Sequence, residues 1–334
     1  MPLPRRAIWL LLALLLGICV TRLASAGEVS LRTMSFNVRY AGTNDDQLSG
    51  NGWFNSDPSA SRAQKAVQVI RDYGPDILGT QEALSFQVQS LPGQDLASGL
   101  VDYGYYGVGR ENGIAQGEYA AIFYRSDRFT RLDAGTFWLS PTPDVPSIYP
   151  GAGTIRIASW VKLDDHVSGQ QIFVLNTHLD NVSNTANLYA ANLIRDRLPG
   201  LAGDAPIVLT GDMNSTETSN VVRTLLGQND PGEFQLGDAY REVHPTVGSN
   251  ERTYHAYAGG TSGSRIDFIL HSDELTPVGA AIIRTTYGGK YPSDHYPVTA
   301  EFTLTAVPEP TGAALLVSGG MLLLVATRAR RLAR

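Results

Sequence analysis

Cysteine is almost absent from this chain. Cys19 is the only one in 334 residues, and it sits in an apolar N-terminal run. The rest of the chain therefore has no disulfide, no thiol nucleophile and no thiolate for a zinc site. Histidine is scarce, with six residues. Basic residues are outnumbered. Of 26 Lys and Arg, seven lie at the two chain ends, leaving 19 in residues 27–306; of 32 Asp and Glu, 31 lie there, a formal charge of −12. No Lys/Arg-rich stripe is present. This is a poor surface for sequence-independent binding of nucleic acid, where affinity comes from cations on phosphates. It is compatible with a small phosphate substrate, or with one approached through a bound cation.

Both ends read as targeting segments. Arg5 and Arg6 precede an apolar run from Ala7 to Val20, and Ala24-Ser25-Ala26 follows with small residues where a signal peptidase cuts. Residues 1–26 are expected to be a secretory signal. The run is short for a membrane anchor, and Ile18 stands where a lipoprotein needs a small residue before Cys19. At the other end, Val307-Pro308-Glu309-Pro310 leads into an apolar stretch from Gly312 to Ala326, then Arg328, Arg330, Arg331 and Arg334. A bilayer span takes ~20 residues, so this stretch is marginal. Its arginines favour the cytoplasmic side. The order of parts in residues 307–334 resembles the PEP-CTERM sorting tail of some Gram-negative bacteria. The resemblance implies an exosortase-type processing enzyme as partner and transient anchoring in the inner membrane. The mature protein is then expected in the periplasm, at the cell surface or outside the cell. A plain C-terminal anchor is the alternative.

About 280 residues, 27–306, remain between the ends, enough for one large α/β domain or two small ones. Strand-like and helix-like segments alternate, with no repeat and no long linker. Ser61 and Gln64 form a capping box ahead of an apolar stripe at Ala63, Ala66, Val67, Ile70 and Tyr73. Gly74-Pro75 ends it, so a helix is predicted over 61–73. A second helix is predicted over 183–198. Strands are predicted over 29–38, 76–81, 103–108, 120–124, 129–139, 155–163, 171–176, 206–210, 265–271, 280–286 and 296–304. Many strands with fewer helices suggest two packed sheets with helices outside.

Six segments share one design, an apolar strand beside metal-type or acid–base residues. They are Ser35-Phe36-Asn37, Gln81-Glu82, Asn176-Thr177-His178-Leu179-Asp180, Gly211-Asp212-Met213-Asn214, Arg265-Ile266-Asp267 and Ser293-Asp294-His295. Except for Asp267, the polar group falls at a strand end, and strand ends of one edge can converge on one cleft. The set suits metal-assisted hydrolysis of a phosphoester. Asn37, Glu82 and Asp294 are hard oxygen ligands for Mg²⁺ or Mn²⁺. The ion would neutralise phosphate charge. Asp212 is expected to orient or deprotonate the attacking water, and Asn214 to donate to a phosphate oxygen. Asp267 would hold His295 in one orientation and raise its pKa, giving a cation that faces the phosphate. His178 would do similar work at the leaving group.

These motifs, in this order, resemble the endonuclease/exonuclease/phosphatase superfamily, the fold of deoxyribonuclease I. The similarity covers about 29–304. It implies a four-layer α/β sandwich, two packed mixed β-sheets flanked by helices, with a divalent metal and in-line attack by water. Carried over by motif, Glu82 is the firmest metal ligand, with Asn37 and Asp294 beside it; His178, Asp212, Asn214, Asp267 and His295 are catalytic. Gly135–Ser140, Arg156–Trp160 and Tyr291–His295 look like the branch with deadenylase-like and nocturnin-like enzymes. Arg156 and Asn176 are then candidates for substrate binding, although Asn176 and Arg265 could equally brace loops. His166, His244, His255 and His271 lack supporting neighbours and read as surface or structural. Trp53 and Trp138 read as packing groups. Asn181-Val182-Ser183 has the form of a glycosylation acceptor, which is set aside because the sorting-tail resemblance argues for a bacterium.

The expected reaction is hydrolysis of a P–O bond in a small phosphorylated compound. An extracellular nuclease is the alternative, mildly disfavoured by charge. A catalytically silent binding protein is disfavoured by the intact acid–base set. Specificity is expected in loops 42–58, 109–118, 140–154 and 244–264.

Overall fold

The computed structural model describes residues 27–42, 52–54, 61–89, 95–229 and 234–307. The expected signal, the tail from Pro308 onward and most of the 42–58 loop lie outside them. Residues Val29–Leu304 form one unit, built on two six-stranded sheets. The first has the order β11 (Thr276–Ile282), β12 (Val298–Thr305), β1 (Glu28–Asn37), β2 (Ile77–Leu84), β4 (Glu118–Arg125), β3 (Tyr103–Tyr106). The second runs β5 (Phe129–Trp138), β6 (Ile157–Asp165), β7 (Gln170–His178), β8 (Ile207–Asp212), β10 (Asp267–His271), β9 (Gly237–Asp238).

Each sheet has a parallel pair at its heart, β1 with β2 and β7 with β8. A parallel pair needs a crossover. Helix α1 (Arg62–Tyr73) links β1 to β2. After the single turns α2 (Ser85–Val88) and α3 (Leu96–Gly99), helix α4 (Asn184–Ala202) links β7 to β8. Strands covered on both faces read as continuous apolar runs, and β8 is buried at every residue. The start of α1 is as the sequence predicts, with Ser61 accepting from the Gln64 N–H at 3.1 Å. Its end is Gly74, left-handed at φ 64°. Helix α4 runs past the predicted stop at Leu198, through Pro199 to Ala202. Pro199 falls in the last turn, where a lost backbone hydrogen bond disrupts little that follows. The sequence reading missed the short α2 and α3, and also α5 (Asn220–Leu226) and α6 (Ala239–Val243), whose few residues show little periodicity.

Three apolar layers give four structural layers. Phe36, Val67, Ile70 and Phe123 join α1 to the first sheet. Phe173, Ile194, Leu198 and Leu209 join α4 to the second. Ile77, Ile122, Val174, Val208 and Phe302 fill the space between the sheets. Trp53 and Trp138 are buried among packing groups, at 1 % and 7 % exposure.

At one end of the inter-sheet layer the contacts turn polar. Asn176 of β7 donates to the carbonyls of Thr80 at 2.8 Å and Ala121 at 2.9 Å. Its Oδ1 accepts from Gln81 at 2.7 Å and from Thr210 at 3.0 Å. Gly79 permits the approach, because a Cβ there would meet Thr210 Oγ1 at 2.0 Å and Asn176 Oδ1 at 2.8 Å. Gly79→Ala is therefore expected to cost on the order of 1–3 kcal/mol, read as a lower urea midpoint with unchanged slope. An unchanged midpoint would show that the sheets can part without penalty.

Candidate active site

The crossovers make both parallel pairs end at the same edge. Asn37 closes β1 and pairs with Gln81, the residue before Glu82. His178 closes β7 opposite Asp212, the last residue of β8. Asp267 also pairs with Asp212. The sequence reading put Asp267 inside a strand; β10 begins at that residue, so it too stands at a strand end. The turn before β12 adds Asp294 and His295. These groups surround a cavity of about 520 Å³ whose walls include Glu82, His178, Asp212, Asn214, Asp294 and His295.

Local backbone geometry aims them. Glu82 lies where the β2–β4 register shifts between Thr80 and Ala83, and its φ is 65°. A bulge of this kind re-aims a side chain beside a site. Arg39 at φ 58° and Asn214 at φ 45° are left-handed as well. Such residues cost on the order of 1–3 kcal/mol each and persist where surroundings impose them. The other two left-handed non-glycines among the described residues, Ala256 and Tyr257, lie in the 244–264 loop. That loop is bolted to the site by its backbone. The N–H groups of His255 and Ala256 donate to the Asp294 carbonyl at 2.8 and 3.2 Å, and the N–H of Tyr296 donates to the Thr253 carbonyl at 2.8 Å. His255 is buried between Tyr291 and Tyr296. Burial pushes it down to about 4, so it is a neutral structural group, as the sequence suggested.

Asp212 is the hub. Its Oδ2 accepts from Asn37 Nδ2 at 3.0 Å and lies 3.6 Å from His178 Nε2 and 3.7 Å from His295 Nε2. Its Oδ1 accepts from the Asn214 N–H at 2.9 Å. Burial and the nearby Asp267 carboxylate push Asp212 up to about 7, against the pull of His295. Asp267 Oδ2 sits 3.0 Å from His295 Nδ1. Burial would lower His295, but Asp267 and Asp212 outweigh it and raise it to about 10. His295 is thus a cation at neutral pH.

His178 differs from its expected role. Burial, then the guanidiniums of Arg156 and Arg110, hold it well below the usual imidazole range. It is neutral, not a second cation. Asn214 Nδ2 donates to the Leu179 carbonyl at 2.9 Å and lies 3.0 Å from His178 Nε2. The carbonyl contact assigns the amide orientation, so Nε2 accepts and the ring proton sits on Nδ1. Both N–H bonds of Asn214 are thereby engaged. It orients His178 and has no N–H left for a phosphate oxygen.

Two further expectations change. Asn37 turns its NH₂ toward Glu82 Oε1 and Asp212 Oδ2, each at 3.0 Å, while its Oδ1 accepts from the Arg39 N–H at 3.0 Å. It presents a donor, not an oxygen ligand, to the carboxylates. Asn176 is fully buried and commits its amide to four bonds, three to the facing sheet and one to Thr210 of its own, so it does not contact substrate. Arg156 does line the cavity, with NH2 on Asn181 Oδ1 at 3.2 Å. Arg265 braces the turn behind β10, pairing with Asp238 at 2.7 Å and Glu217 at 3.0 Å.

Arg39, Arg110, Glu118 and Tyr254 also line the cavity and were missed in the sequence. Glu118 opens β4, so the strand-end criterion applied to acidic residues would have found it. Arg39 sits two residues beyond Asn37. Arg110 comes from a loop, and only the fold brings it in.

A hard divalent cation suits this set. Burial pushes Glu82 up, but Arg39, His295, Asn37 and the Tyr40 N–H outweigh it and hold the carboxyl below its usual range. Glu82 therefore stays ionised at the cavity wall, as an oxygen ligand must. Glu82, His178 and Asp212 have donor atoms within 4.8 Å of one another, as do Asp212, Asp267 and His295. The second group contains a histidine cation and is the poorer cage.

A profile of the Endonuclease/Exonuclease/phosphatase family matches residues 34–295. A solved member from Bacteroides vulgatus is 34 % identical, with TM-score 0.71, covering 83 % of this chain and 99 % of that one. The mannosyl-6-phosphatase of Bacteroides thetaiotaomicron is 30 % identical, with TM-score 0.71, covering 81 % and 99 %. Nocturnin of Drosophila melanogaster is 25 % identical over 277 residues, 71 % of this chain but only 41 % of Nocturnin.

Asp267→Asn is expected to move the His295 titration, followed by imidazole NMR, from about 10 toward the unperturbed ~6.5. A raised folded-state pKa contributes stability that is full below ~6.5 and lost as pH rises through about 10. The variant should therefore lose stability mainly at neutral and lower pH. A His295 that still titrates near 10 would show that Asp267 is not the cause. The profile match over residues 34–295, on two packed sheets whose strand ends meet at one cavity, makes the chain a member of the Endonuclease/Exonuclease/phosphatase family, metal-dependent hydrolases of phosphate esters.

Proposed function

We propose that this protein is an exported phosphoesterase that removes phosphate from a small phosphorylated compound, a sugar phosphate being the leading class. What carries this reading is the Asp212 carboxylate, buried, poised near neutrality and central to a cavity lined by both acids and arginines. The charge of −12 over residues 27–306 and the modest cavity volume favour a small substrate over a polymer. The mannosyl-6-phosphatase likeness favours a sugar leaving group.

Glu82 and Asp294 would hold Mg²⁺ or Mn²⁺, which when bound neutralises phosphate charge and polarises the P–O bond. Asp212, with a proton affinity matched to neutral pH, orients the water and takes its proton during in-line attack. The His295 cation, fixed by Asp267, faces the charge that develops on the phosphoryl oxygens. Neutral His178 keeps its Nδ1–H on the Glu118 side, 3.8 Å from that carboxylate and beyond hydrogen-bond reach of it. Arg156 and Arg110 attract the anionic substrate. An N-terminal secretory signal and a sorting tail belong to the proposal as sequence readings. Among the described residues no helix is long and apolar enough to cross a membrane.

Asp212→Ala and Glu82→Ala are each expected to lower kcat by at least ~100-fold with circular dichroism unchanged. Near-normal turnover in either variant would remove that role. Chelator should stop the reaction and added Mg²⁺ or Mn²⁺ restore it; a rate indifferent to chelation sinks the metal reading. A panel of mannose 6-phosphate, a generic phosphodiester and plasmid DNA decides the substrate class. Preferential cleavage of the plasmid would favour a nuclease, and no turnover of any of them a silent binding protein.

A further inference from the structure

Arg39 stands between the two carboxylates that the metal would use. Its NH1 lies 3.2 Å from Glu82 Oε2 and its Nε 3.5 Å from Asp294 Oδ2. The Glu82 and Asp294 side chains are 10 % and 6 % exposed, so both carboxylates need a counter-charge, and Arg39, at 20 %, supplies it from the cavity side. An unpaired buried carboxylate would be strongly destabilising.

Its backbone is fixed independently of its guanidinium. The N–H donates to Asn37 Oδ1 at 3.0 Å. The carbonyl accepts from Arg62 at 3.2 Å and Gln87 at 3.0 Å. These bonds hold residue 39 in its left-handed conformation, φ 58°. The side chain borders the cavity, and its guanidinium lies 4.4 Å over the Tyr40 ring, an attractive surface for a cation that leaves a carboxylate.

We infer that Arg39 is the built-in counterion of the metal site, displaced from Glu82 and Asp294 when a divalent cation takes their oxygens and then turned to the substrate phosphate. The inference rests on the metal-dependent reading above. Two cations at the same pair of carboxylates repel each other at close range, so arginine and metal compete. A displaced guanidinium in this cavity has the planar donor fork that suits a phosphate. A plain structural ion pair would not compete, because metal would bind elsewhere.

The test is Mn²⁺ binding to the chelator-stripped protein, followed by calorimetry and by Mn²⁺ electron paramagnetic resonance. Arg39→Gln is expected to bind Mn²⁺ about tenfold more tightly than the wild type. Arg39→Lys, which keeps the charge, should stay near wild type. Arg110→Gln removes an equal charge from the same cavity but from Glu118, 2.6 Å away, and should change affinity far less. With Mn²⁺ saturating, inorganic phosphate should bind Arg39→Gln about tenfold more weakly. Unchanged or weaker Mn²⁺ binding by Arg39→Gln, or equal gains in Arg39→Gln and Arg110→Gln, overturns the competition. Unchanged phosphate binding overturns the turn to substrate. Failure of the wild type itself to bind Mn²⁺ overturns the metal reading first. Should Arg39→Gln not fold, Arg39→Met removes the same charge and is read in the same way.

Discussion

The carboxamide of Asn176 fixes the distance between the two sheets, and the site depends on that distance. Its two N–H bonds reach carbonyls of β2 and β4 in the facing sheet, and its oxygen accepts from Gln81 of that sheet and Thr210 of its own. All four hydrogen-bonding positions of the amide are therefore satisfied away from water. The brace lies directly under the cavity. Glu82 follows Gln81, His178 is two residues beyond Asn176, and Asp212 is two residues beyond Thr210. Acids from one sheet and the hub of the other thus share a wall set by one side chain. A buried network of this kind is worth about 1 kcal/mol per bond when complete and costs more when a member is left alone.

Much of this was legible in the sequence. Apolar strands ending in Asn, Glu, His or Asp announced a shared edge, and the crossover helices carried clear periodicity at Ala63–Ile70 and a stop at Gly74. What stayed hidden depends on conformation. The bulge at Glu82 and the left-handed φ of Arg39 leave no trace in residue type, whereas Asn214 is of a type that tolerates that conformation. Asn176 shares a strand face with His178, two residues on, but it lies one step deeper, inside the inter-sheet layer, and a motif does not say where that layer ends and the cavity begins. Arg110 lies in the 109–118 loop, which the sequence marked for specificity without singling out a residue. The same ambiguity misread Asn37 and Asn214, whose amides could give either a donor or an acceptor until their neighbours were known.

The charges form a graded field. Acids of different character stand at one edge: Glu82 held ionised by Arg39, Asp212 raised to about 7 by burial and Asp267, and Asp294 raised by burial. The two histidines are driven in opposite directions. His295, flanked by Asp267 and Asp212, is held as a cation, whereas His178, near Arg156 and Arg110, is held neutral. Two identical side chains on one hub thus present different chemistry, set by which neighbours reach them.

Besides the Thr253 hydroxyl, which accepts from the Ile266 and Asp267 N–H groups, and the His255 ring between Tyr291 and Tyr296, the root of the 244–264 loop is held by main-chain bonds: two N–H groups on the Asp294 carbonyl, and the Tyr296 N–H on the Thr253 carbonyl. Bonds of this type do not depend on which side chains the loop carries. Relatives can accumulate insertions and replacements toward its tip while the wall bearing Asp294 and His295 keeps its position. Divergence in what the family recognises is thereby mechanically insulated from the machinery of cleavage, which lets one scaffold acquire new specificities by small genetic steps.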